Sequence, residues 1–277
     1  MQAGVQRSEI EIARMQQASS ALRSFFQGVD AQRLEGVATI KVDHAVRRFL
    51  HRHGLHSALA GYRGYPAHCS VSANDVAVHG LPDERLISRG DVFSIDIAAS
   101  GGGWFTDMAW SFLMPGASHR AEDEFLRAWL SFRDLIVGIT PEMSLSDLAT
   151  RADETAWSRG LTPIPEFTGH GIGRKLHEAP IVPFSASALS GTPHGERIRL
   201  VRGTVINVEP VYRPRTGSEA GILRDENGWS YRTADGARTY HFEVTVSIGD
   251  RGATVLQWGR MAVQELPESP PLALLLR

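Results

Sequence analysis

The chain has 277 residues, with 29 Lys and Arg against 31 Asp and Glu for a formal charge of -2. It can therefore bury a sizeable core without cross-links, and it offers no electrostatic ground for a nucleic acid or an acidic membrane as partner. The start MQAGVQRSEIEIARMQQ lacks a signal-peptide core, no apolar run approaches membrane-spanning length, and Cys69 is the only cysteine, so a cytoplasmic, disulfide-free protein is expected.

In chain order, Ile12, Met15, Ala18 or Ser19, Leu22 and Phe25 or Phe26 recur at spacings of three and four, which predicts a helix from Ser8 to Gln27. A second, less cleanly patterned helix is expected from about Leu34 to His53. After Gly64 the segments HCSVSAND, DVFSIDIAA, WFTDMAWSFLM, RGTVINVEPVY and RTYHFEVTVSI are short, rich in β-branched and aromatic residues, and bounded by turn formers. They read as strands. Between them, Glu122 to Val137 and Leu145 to Trp157 read as helices. The order of helices then strands occurs twice, an α+β arrangement. No low-complexity linker divides the halves, so residues 1–266 read as a single domain, followed by a Pro-rich tail at 267–277.

The doubled order contains a short internal repeat. RGDVFSIDI at 89–97 aligns with RGTVINVEP at 202–210, pairing Asp96 with Glu209, and WFTDMAWSF at 104–112 aligns with YHFEVTVSI at 240–248, pairing Asp107 with Glu243. Each half is thus expected to contribute two strand carboxylates. Ionised carboxylates buried together repel, so four of them stay protonated or share cations, and divalent metal is the simpler solution. His170, between Gly169 and Gly171 in FTGHGIGRKLHEAP, could complete the set. The glycines would permit close backbone approach and unusual dihedrals. Four carboxylates and one imidazole describe a two-metal hydrolytic site, with His79 and His177 beside it as proton donors or oxyanion stabilisers. The other histidines (His44, His51, His53, His56, His68, His119, His194 and His241) read as structural or solvated.

The ordered set GYRGYPAHCSVSANDVAVHGLP, FSIDI, WFTD, FTGHGIGRKLHEAP, INVEPVY and HFEVT resembles the type I methionine aminopeptidases, within the pita-bread-fold metallohydrolases. The resemblance covers the chain from the first helix to about Gly249. It implies two pseudo-symmetric halves, each a pair of helices on an antiparallel sheet, with a dinuclear centre of iron, manganese, cobalt or zinc between them. Carried over residue by residue, it makes Asp96 and Glu243 ligands of one metal and His170 and Glu209 of the other, with Asp107 and Glu243 shared. Glu209 would also handle the proton of the attacking water. His79 would stand near the scissile amide, and His177 would hydrogen-bond the substrate carbonyl. Tyr62, Tyr65, Cys69, Leu176 and Trp229 would line the pocket for the first side chain. The implied reaction removes N-terminal methionine from peptides or nascent proteins, by a chain expected to act as a monomer.

Ala98, Met108 and Ala109 depart from the family's usual threonines and serines, Leu176 replaces a commonly larger residue, and segments 183–200 and 213–228 match poorly. An apolar surround that orients the ligands poorly is therefore expected. The alternatives are a repurposed hydrolase acting on another small amide or peptide in a biosynthetic or resistance role, and a non-catalytic binding homologue. The latter would be expected to lack ligands that are all present here.

Overall fold

In a computed structural model, which describes residues 4–191, 197–215 and 221–270, the four expected helices form. Helix α1, Glu9–Gln27, starts at Ser8, whose hydroxyl accepts from the Glu11 amide while Glu11 reaches back to the Ser8 amide, a capping box. Its apolar stripe of Ile12, Met15, Ala18, Leu22 and Phe26 is buried as the spacing predicts. Each large member contributes about 1.5–3 kcal/mol through burial. Helix α2, Thr39–Arg52, is shorter than expected, because a 3-10 turn at Ala31–Arg33 and a bend precede it. Thr39 ties its start to Asp83, donating to the Asp83 carbonyl at 3.1 Å. Helix α3, His119–Val137, begins earlier than expected, at the Ser118 cap. Helix α4, Leu145–Trp157, has the expected bounds and its own Ser144–Asp147 capping box.

Strand Val92–Gly101 and strand Trp104–Leu113 form a ten-residue antiparallel hairpin, registered from Val92 opposite Leu113 to Gly101 opposite Trp104. Gly102 and Gly103 close it with φ of 59° and 78°, the two positive values that a two-residue type I′ turn demands. Ser70–Ala73 pairs along the other edge of Val92–Gly101, with Ser70 opposite Asp96. Helix α1 lies on Trp104–Leu113. The second half supplies a six-stranded antiparallel sheet in the order Met261–Ala262, Gly252–Val255, Val244–Gly249, Val205–Val208, Gly169–Gly171 and Glu178–Val182. A three-stranded sheet orders Tyr240–His241, Val211–Pro214 and Leu161–Pro163.

One continuous apolar core takes residues from all four helices and from both halves, including Phe26, Phe49, Trp110, Trp129, Leu148 and Phe242. The junction is polar as well as apolar. Glu124 of α3 is buried, receives Arg120 and Arg238, and accepts from the Tyr240 hydroxyl at 2.9 Å. The beginning of the Pro-rich end stays docked on α3, where the Trp129 indole donates to the Glu268 carbonyl at 2.9 Å. Residues 271–277 of the expected tail lie outside the described residues. No described helix is long and apolar enough to cross a membrane.

Candidate metal centre

In the Val92–Gly101 and Trp104–Leu113 hairpin, Asp96 stands opposite Ala109, and Asp107 stands opposite Ala98. The two acids are therefore diagonal neighbours on one face. Their carboxyls hydrogen-bond to each other. Burial pushes the pKa of Asp96 up to about 6, against hydrogen bonds from Ser70 and Asp107 that lower it. Asp107 is pushed well above the carboxylate range, first by burial and then by Asp96.

The two glutamates do not lie inside strands, contrary to the reading of all four acids as strand carboxylates. Glu209 falls between Val205–Val208 and Val211–Pro214, and Glu243 falls between Tyr240–His241 and Val244–Gly249. The ladder joining these segments ends at Val244 opposite Val208, one residue short of both. Pro210 has no amide to continue it. On the other chain the backbone changes partners, and the Glu243 amide donates instead to the Ala109 carbonyl of the first half at 2.9 Å. That bond brings the second pair of acids against the first. Glu209 and Glu243 both have strongly raised pKa values, first from burial, then from Asp107 and the remaining acids.

His170 reaches this cluster because its strand is pressed between two others. A Cβ on Gly169 would lie 2.3 Å from the Asn207 carbonyl oxygen, and one on Gly171 would lie 2.1 Å from that of Ala179. Neither glycine has a positive φ, so close approach, and not an unusual dihedral, is what requires them. His170 Nδ1 donates to the Gly171 carbonyl at 2.9 Å, which leaves the Nε2 lone pair 3.3 Å from Glu209 Oε1. Burial and then His177 lower its pKa to about 4, so the ring is neutral at pH 7.

These donors suit divalent metal. One ligand atom from each of Asp107, His170 and Glu243 lies within 4.8 Å of the others, and the same holds for Glu209, His241 and Glu243. Glu209 Oε1 is out of solvent without a hydrogen-bond partner. An unpaired buried carboxylate oxygen facing an imidazole lone pair, among acids whose ionisation is suppressed by one another, is the arrangement a cation would resolve. Oxygen and imidazole ligands together suit first-row divalent ions.

The surround is less apolar than Ala98, Met108 and Ala109 suggest, because other elements provide its hydrogen bonds. Ser70 Oγ donates to Asp96 at 3.2 Å, and Asn207 Nδ2 donates to Glu243 Oε1 at 2.8 Å. Thr245 Oγ1 in turn donates to Asn207 Oδ1 at 2.9 Å, and Gln257 Nε2 donates to the Asp107 carbonyl at 2.9 Å. None of these was singled out in the sequence. The available signal for Asn207 and His241 is their place two residues before Glu209 and Glu243, a spacing that shares one face of a strand. His241, read in the sequence as structural or solvated, lies beside Glu209 and Glu243. It is 5 % exposed, and burial and then His79 lower its pKa to about 3.

His177 sits at the open side, its ring centroid 4.2 Å from that of His170. Tyr62, expected in the side-chain pocket, places its hydroxyl 2.8 Å from His177 Nδ1. His79 holds a left-handed backbone, φ 55°, with its ring edge-on to Tyr231. Burial lowers its pKa, followed by the effect of His177. Tyr65 and Trp229 meet edge to face at 5.3 Å. The Tyr65 hydroxyl donates to the carbonyls of Cys69 and of Gly80, the residue after His79. Cys69 is fully buried, its thiol held protonated by burial and by Asp43. Leu176 packs in a cluster with Ala98, Trp104 and Ile172 beneath the hairpin.

A model of metallopeptidase family M24 matches residues 13–250. The chain is 31% identical over 256 residues to the methionine aminopeptidase of Aquifex aeolicus, covering 90% of this chain and 96% of that one. It is 30% identical over 263 residues to methionine aminopeptidase 1 of Mycobacterium tuberculosis, covering 92% and 95%. Among solved structures, the methionine aminopeptidase of Thermotoga maritima superposes with a TM-score of 0.82 at 28% identity, covering 92% of this chain and 99% of that one. The prolidase of Pyrococcus furiosus shares the fold at a TM-score of 0.69 and 18% identity, covering 91% of this chain and 65% of that one. The pita-bread architecture implied by the sequence motifs is the architecture of this chain.

Proposed function

The chain belongs to metallopeptidase family M24, and on that footing we propose that it is a metal-dependent aminopeptidase that removes methionine from the N-termini of peptides and nascent proteins. The observation that carries this reading is the convergence of Asp96, Asp107, Glu209, Glu243 and His170 from both halves on one buried point. The reading assigns two divalent ions, from among iron, manganese, cobalt and zinc, to these five ligands. When bound, such a pair supplies Lewis acidity and a water acidified to act near neutral pH.

The protein's own groups do the rest. Glu209, with an oxygen free of hydrogen bonds, accepts the proton of the attacking water. Tyr62 hydrogen-bonds His177 Nδ1, which holds the ring; with the hydroxyl as donor, Nε2 carries the proton offered to the peptide carbonyl, where negative charge develops. His79, held by its strained backbone at the cleft, returns a proton to the departing amine. Tyr65, Trp229 and Cys69 form an apolar slot next to His79 that suits a methionine thioether against aromatic edges.

The same reading takes residues 1–266 as one catalytic domain with a tail at 267–277, acting as a monomer in the cytoplasm on peptide or protein N-termini, without nucleic acid or membrane as partner. The test is a panel of Met-Ala-Ser, norleucine-Ala-Ser, Leu-Ala-Ser and Lys-Ala-Ser, assayed on chelator-treated enzyme restored with each divalent metal in turn. Cleavage of Met-Ala-Ser, with Lys-Ala-Ser refused, is expected. A metallated enzyme that cleaves none of the four, or prefers Lys, refutes the aminopeptidase and favours hydrolysis of another small amide.

A further inference from the structure

The scheme above gives His241 no role. Its Nε2 is out of solvent without a hydrogen-bond partner, and a ring nitrogen falls within 4.8 Å of ligand oxygens of both Glu209 and Glu243. Folded proteins seldom leave a buried polar nitrogen unpaired, and those that occur call for an explanation such as an ion.

The backbone that carries this ring is held by the fold. The Ser111 hydroxyl accepts from the His241 amide at 2.8 Å and donates to its carbonyl at 2.9 Å. His241 pairs with Val211 across the short sheet. The preceding Tyr240 anchors its hydroxyl on buried Glu124, which Arg238 also engages at 2.9 Å. A side chain kept only to fill space would need neither this fixed backbone nor a nitrogen turned towards carboxylates. Rigid support of this kind is what a metal ligand requires.

We propose that His241 is a further ligand of the metal centre, giving it a second imidazole beside His170 on the side of Glu209 and Glu243. This rests on the metallopeptidase reading and extends it to metal choice. A second nitrogen donor favours cobalt or zinc over manganese, which prefers an all-oxygen surround.

The test uses chelator-treated full-length protein and the metals alone, with no substrate. X-ray absorption of the cobalt-loaded wild-type protein is expected to count about two imidazoles for each pair of ions. In calorimetric titrations, His241→Gln is expected to weaken one Co2+ binding event at least about 10- to 100-fold, the range that losing even an outer partner costs. The loss should be smaller for Mn2+. One imidazole per pair of ions, or Co2+ and Mn2+ affinities unchanged in His241→Gln, overturns the proposal while leaving the metallopeptidase reading intact. A wild-type protein that binds no divalent ion overturns both. Should His241→Gln fail to fold, the absorption measurement on the wild-type protein decides alone.

Discussion

Replacing Asp96 with asparagine in metal-free protein removes one carboxyl from a cluster whose charges, without cations, are relieved only by protons. In the folded chain burial raises the pKa of Asp96 from 3.8 to about 6. Because the folded value lies above the unfolded one, the folded state keeps a proton that the unfolded state has lost. The stability associated with Asp96 is therefore complete below the unfolded pKa and is lost as pH rises through the folded one. A difference of about two pH units, at about 1.4 kcal/mol per unit, makes the loss about 3 kcal/mol. Buried His170 and His241, whose pKa values are lowered to about 4 and about 3, contribute in the opposite direction. They do so in both proteins, so the difference between variant and wild type reports Asp96 together with its repulsion of Asp107, Glu209 and Glu243. Urea unfolding in the presence of chelator, from about pH 4 to about pH 7, should show Asp96→Asn gaining about 3 kcal/mol relative to wild type. Saturating Mn2+ should reverse the order at neutral pH, because the variant then lacks a ligand. A stability difference that does not change with pH would refute the claim that burial protonates this carboxyl.

His170→Ala should lower metal occupancy, whereas His79→Ala and His177→Ala should keep the metal and lose about 10²-fold or more in kcat; equal metal loss in all three would contradict their separate roles. Asn207→Leu deletes the 2.8 Å donor to Glu243 and should weaken metal binding by about 10- to 100-fold in chelator competition, an effect that an Asn207 acting only as packing would not produce. Trp229→Ala opens the slot beside Tyr65 and should reduce the preference for methionine over leucine through kcat/KM, at unchanged metal content, within the about 1–3 kcal/mol that such a pocket can discriminate. Leu176→Phe should cost about 1–3 kcal/mol of stability by overfilling the cluster under Trp104, leaving selectivity unaltered; a selectivity change without destabilisation would return Leu176 to the slot.

By itself the sequence determined the features that depend on neighbours along the chain. The spacing of Ile12, Met15, Leu22 and Phe26 sets the buried face of α1, since helical periodicity is a local property. Ser144 with Asp147 marks the start of α4, because a cap is made within one turn. The doubled pattern of acids, with His170 between glycines, picked out five residues that the fold brings together, because an acid in an apolar run has to be compensated wherever that run folds. Tertiary structure alone decided what those donors meet. Glu209 and Glu243 leave their ladder because the Glu243 amide pairs with Ala109 of the other half, a bond between residues far apart in sequence. The hydrogen bonds that orient the acids come from Ser70, Asn207, Thr245 and Gln257, ordinary polar residues whose partners exist only after the sheets assemble. That Tyr62 meets His177 and that Leu176 packs under the hairpin was likewise beyond the sequence, since a side chain's direction is set by the elements packed around it. His241 opens the HFEVT stretch but takes no role from it, and its environment arises where the Tyr240–His241 strand is pinned between Ser111 and Val211. Residue type and local spacing fix which groups can do chemistry, while the desolvation and convergence that make them do it are long-range properties of the folded chain.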